Sequence, residues 1–65
     1  MTTHASASLE NLYASVPEAA HYLGVSRNTV YQLIEWGELN ALRLNGAVRI
    51  ERLSLKHFRD SGRLT

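Results

Sequence analysis

The chain contains no cysteine, so disulfides and thiolate-bound zinc are excluded. Its single proline is Pro17 and its glycines are Gly24, Gly37, Gly46 and Gly62, so it has no flexible linker and few places for sharp turns. Charge interrupts every apolar stretch, and no run approaches the roughly 18 residues of a membrane span. The first eight residues carry no Lys or Arg and no apolar block, so a secretory leader is not expected. Sixty-five residues make one domain, which buries only about 60% of its unfolded surface and must be held by its apolar core. His4, His21 and His57 do not fall at metal-ligand spacing. No Ser/His/Asp set, paired carboxylates or Gly-rich phosphate loop is present. No metal, cofactor or enzymatic activity is therefore expected, and no membrane association.

The net charge of +1 conceals an asymmetry. Residues 1–25 contain Glu10 and Glu18 and no Lys or Arg, whereas residues 26–65 set all seven basic residues against Glu35, Glu38, Glu51 and Asp60. One cationic face for a polyanion follows from such polarity. Residues 1–14 are polar and small, and are expected to be a flexible tail. Leu9, Leu12 and Tyr13 fall at i, i+3, i+4, so a short helix is the alternative there. Ser15-Val16-Pro17-Glu18 is a helix start: Ser15 and Glu18 have the spacing of a capping box, and Pro17 falls in the first turn, where its missing N–H costs nothing. Val16, Ala19, Ala20 and Leu23 make one stripe, ended by Gly24. Ser26 then caps a second helix striped by Val30, Leu33 and Ile34 and ended by Gly37. Two short helices joined through a glycine predict a helix-turn-helix, with small Ala20 allowing close approach.

From Leu39 to Ile50 the period changes to two, on both sides of Asn45-Gly46, which predicts a β-hairpin. A two-residue Asn-Gly loop is the strongest hairpin signal, but it sets Leu42 opposite Arg49. A three-residue loop turns Leu42, Leu44, Val48 and Ile50 inward and Arg43 and Arg49 outward together. Burial favours that odd-length loop. Helical period returns over Glu51–Asp60, with Leu55 and Phe58 inward and Leu53 at the edge. Arg52, Lys56, Arg59 and Arg63 form a basic stripe, either a solvated face or a contact to DNA backbone or a partner. Trp36 is expected to pack half-buried under the hairpin. The order helix, turn, helix, hairpin, helix is that of a winged helix-turn-helix, mainly α with a small β-hairpin (α+β). It occupies residues 15–60, with 61–65 as a C-terminal tail.

In this arrangement Arg27, Asn28, Tyr31, Gln32 and Glu35 face outward from a second helix short enough to enter a major groove about 12 Å wide. Arg27 suits guanine; Asn28 or Gln32 suits adenine. Ser26 and Thr29 sit at the helix N-terminus, where orphan N–H groups favour phosphate. The Tyr31 hydroxyl can reach the backbone. In the wing, Arg43 and Arg49 are like charges whose repulsion an intervening phosphate would relieve. Asn45 and Gly46 form a tip slim enough for a groove.

The segment Val16-Pro17-Glu18-Ala19-Ala20-His21-Tyr22-Leu23-Gly24-Val25-Ser26-Arg27-Asn28-Thr29-Val30-Tyr31 resembles the first two helices of phage excisionases. Gly37-Glu38-Leu39, Arg43, Asn45-Gly46 and Arg49-Ile50 continue the likeness, which runs from Ser15 to Phe58. These recombination directionality factors have a MerR-type winged helix. The resemblance implies a DNA-binding architectural protein of the bacterial host cytoplasm. It would bind repeats in an attachment site through adjacent cooperating copies, bend the DNA and direct an integrase toward excision. Small phage and plasmid transcription regulators and terminase DNA-binding subunits share the module. A reading of another class is a protein-interaction module that uses Trp36 and the basic stripe without DNA. No coiled coil follows the third helix in the sequence, so a monomer is expected when free.

Overall fold

The computed structural model describes residues 12–62. The elements run β1 (Tyr13–Ala14), α1 (Val16–Leu23), α2 (Arg27–Glu35), β2 (Ala41–Leu44), β3 (Ala47–Glu51) and α3 (Arg52–Asp60). Three helices and a three-stranded antiparallel sheet make a winged helix-turn-helix, an α+β fold. The capping box forms as the spacing predicts. The Glu18 N–H donates to Ser15 Oγ at 3.2 Å, and the Ser15 N–H donates to Glu18 Oε1 at 3.0 Å. At the other end of α1, Gly24 takes φ 73°, a left-handed conformation open to glycine without strain. The Gly24 and Val25 N–H groups return to the Ala20 carbonyl at 2.8 and 3.0 Å, closing the helix and turning the chain into α2.

The core is wholly apolar. Val16, Ala19, Ala20 and Leu23 from α1 meet Val30 and Leu33 from α2, Leu55 and Phe58 from α3, and Ile50 from β3. Leu39, in the turn after α2, joins them at 2% exposure. With Ala19 fully covered and Ala20 nearly so, α1 and α2 pack closely because neither position carries a bulky side chain.

Three expectations are corrected. First, Tyr13 and Ala14 do not belong to a flexible tail. Tyr13 pairs with Glu51 and Ala14 with Ile50, so β1 adds a third strand beside β3, and Ala14 is buried in the core. Two residues are too few to show a period, and their partner is distant in sequence. The suggested helix around Leu9 lies outside the described residues, as does most of the expected 1–14 segment.

Second, the hairpin loop is even. Leu44 pairs with Ala47, Arg43 with Val48, Leu42 with Arg49 and Ala41 with Ile50, leaving Asn45-Gly46 as a two-residue turn. Both take positive φ, 51° and 79°, the signature of a type I′ turn whose twist matches the strands. Leu42 and Leu44 therefore leave the core, each 40% exposed, and Arg49 shares their side. Burial does not decide the register, because residues 42–46 are all exposed. No desolvated core exists there for an arginine to disturb, so turn chemistry decides the register. Third, Trp36 is not half-buried: it is 68% exposed.

Candidate nucleic-acid interface

Helix α2 divides cleanly by side. Val30 and Leu33 are buried and Ile34 packs against the core, while Arg27, Asn28, Tyr31, Gln32 and Glu35 are exposed. With 3.6 residues per turn, the exposed set occupies one continuous outer surface. None of those five side chains is engaged in holding the fold. At the N-terminus, Ser26 Oγ accepts the Thr29 N–H at 3.1 Å and lies 3.0 Å from Thr29 Oγ1. Ser26 and Thr29 thus first cap the helix, and Thr29 is half-buried. They fix the height at which Arg27 and Asn28 emerge.

The wing is less unified than expected. Arg43 pairs with Val48 and Arg49 with Leu42, and neighbouring residues of a strand point to opposite faces. The two arginines therefore stand on opposite faces of the hairpin. The even loop is the cause, since an odd one would have placed them together. Arg43 Nη1 donates to the Gly46 carbonyl at 3.5 Å, which turns its guanidinium toward the Asn45-Gly46 tip. Arg49 is half-buried beside the exposed Leu42.

Helix α3 engages its own cations. Arg52 Nη2 donates to Glu18 Oε2 at 3.3 Å, tying α3 to the start of α1. Lys56 Nζ donates to Asp60 Oδ2 at 3.0 Å. The Arg59 guanidinium stacks on Tyr22, 4.8 Å from the ring centre. Arg63 lies outside the described residues. The Glu18 carboxyl is lowered from its usual pKa, first by the Ser15 backbone N–H and then by Arg52. The Lys56 ammonium is raised by its bond to Asp60. The basic stripe thus splits into internal partners, whereas Arg27, Arg43 and Arg49 form no ion pair among the described residues.

Among the described residues no three His, Cys, Asp or Glu side chains gather as a metal site. No described helix is long and apolar enough to cross a membrane. No curated protein matches the chain. Residues 15–63 match the helix-turn-helix domain. Because that match takes in α1, the Gly24 turn, α2, the wing and α3, the chain belongs to the helix-turn-helix domain family, whose implied partner is DNA.

Proposed function

We propose that this chain is a sequence-specific DNA-binding architectural protein of the excisionase type. The observation that carries the reading is the outer side of α2, where Arg27, Asn28, Tyr31 and Gln32 are exposed and do nothing for the fold. Arginine and amide side chains at this spacing read base edges in a major groove, each good pair discriminating by about 1–3 kcal/mol. The Ser26 cap leaves the positive end of α2 facing the same way, favourable to a phosphate. The Asn45-Gly46 tip, with Arg43 turned to it, enters the adjacent minor groove, and Arg49 meets the backbone from the other face of the wing. Arg52, Lys56 and Arg59 contribute little, because Glu18, Asp60 and Tyr22 already engage them.

The helix-turn-helix family is found in excisionase-like proteins, which supports the excision role together with the resemblance from Ser15 to Phe58. One recognition helix and one wing cover little duplex, so useful affinity requires several copies side by side on repeats. Such an array bends DNA and favours the excisive direction of a phage integrase, which performs the strand chemistry. The test is a circular-permutation bending assay on the element's attachment region, with integrase direction scored in parallel. Bent DNA and a switch toward excision are expected. Unbent DNA with no change of direction overturns the excision role and leaves a small regulator or packaging subunit. Binding insensitive to salt would overturn DNA as the partner.

A further inference from the structure

We propose that the C-terminal end of α2 and the cleft beside it are a docking surface for a cationic, apolar segment of another protein. Trp36 and Leu53 are the two most exposed large apolar side chains among the described residues, at 68% and 60%. Leu53 lines an open cleft of about 500 Å³. One wall is the turn that starts at Gly37, the residue bonded to Trp36, and the other is α3. Glu38, Asn40, Glu51, Leu53 and the largely buried Phe58 line it. The surface has the make-up of a protein-binding patch, an aromatic anchor next to a partly apolar hollow.

Charge selects the occupant. No Lys or Arg lines the cleft; Glu38, Glu51 and His57 do, with Asn40 Nδ2 donating to Glu51 Oε1 at 3.1 Å, and Glu35 precedes Trp36. Helix α2 ends here, and its last carbonyls add partial negative charge. A polyanion is disfavoured, so this end of α2 is not a second DNA contact. An arginine is favoured twice, by the carboxylates and by the exposed indole face, with leucine-like side chains filling the space beside Leu53. Arg27 and Trp36 are nine residues apart, about 13 Å along the helix. Gln32 and Trp36, four residues apart, are neighbours on the helix; the docking itself does not depend on the DNA reading proposed above.

Trp36 is the only tryptophan, so the emission comes from the end of α2 beside Gly37 and Glu38. The test titrates the full chain with a peptide alternating arginine and leucine, and with one alternating glutamate and leucine, following Trp36 emission and acrylamide quenching. A saturable blue shift with protection is expected for the arginine peptide only. Leu53→Ser is expected to weaken it about tenfold and Glu35→Gln about twofold, with circular dichroism unchanged. No saturable response, or an equal response to the glutamate peptide, overturns the proposal. Protection by duplex DNA alone would assign Trp36 to the DNA surface instead. Protection that grows with protein concentration alone would assign it to a second copy. Both outcomes overturn the proposal. Duplex affinity measured by anisotropy on the same samples separates failure of this inference from failure of the DNA reading.

Discussion

Arg27 leaves the first turn of α2 with no acidic neighbour bound to it, and Ser26 holds that turn in place through the Thr29 N–H. The two residues therefore fail in different ways. Arg27→Ala is expected to leave stability within about 0.5 kcal/mol but to lower discrimination between target and mismatched sites by about 1–3 kcal/mol, read by competition binding. Ser26→Ala is expected to cost about 1 kcal/mol of unfolding free energy, read by urea titration. Glu18 sets a dependence on acidity. Its carboxyl is held below its ordinary value of 4.5, so the folded chain binds that proton less readily than the unfolded one. The stabilisation is present above about pH 4.5 and disappears as the pH falls through the lowered value. Glu18 is exposed, with 56% of its side chain in solvent, so the effect is a few tenths of a kcal/mol. Glu18→Gln is expected to be less stable than the parent at pH 7, with the gap closing in acid, in paired denaturant titrations.

At the scale of elements, the hairpin register makes a direct prediction. Leu44→Ser is expected to cost less than about 0.5 kcal/mol, because Leu44 points to solvent. Ile50→Ala is expected to cost about 2–4 kcal/mol, because Ile50 is fully covered. An inward Leu44 would have made both costly. The helices were legible because their signals are local: caps at Ser15 and Ser26, stripes at Val16–Leu23 and Val30–Ile34, and a glycine stop after each. The hairpin's existence and its Asn-Gly turn were equally local. Its sidedness was not, since which face is dry depends on how far the helices reach along the strands. β1 leaves no local signal, because its pattern lies in its partner, β3. The exposure of Trp36 is not local for a related reason: its place at the end of α2 follows from the helical period, but whether the hairpin covers it is set by the tertiary fold. The outer side of α2 needed only the period, so Arg27, Asn28, Tyr31 and Gln32 were readable from the sequence.

For the molecule as a whole, the partition of charge is the organising feature. Arg52 and Lys56 are neutralised by Glu18 and Asp60, leaving Arg27, Arg43 and Arg49 as the described arginines without such partners or a stacked ring. Arg43→Gln and Arg49→Gln are each expected to reduce the slope of log affinity against log salt by about 1 and to weaken all duplexes alike. Lys56→Gln is expected to leave that slope unchanged. The core, in turn, draws only on Val30, Leu33 and Ile34 from α2 and leaves the opposite side of that helix uncommitted. Operator preference can therefore be rewritten without retuning the fold. Grafting new residues at 27, 28, 31 and 32 is expected to change the preferred DNA site, read by competition binding, with little change in unfolding free energy. Lineages of this domain are then free to follow drifting target sequences while their interiors stay fixed.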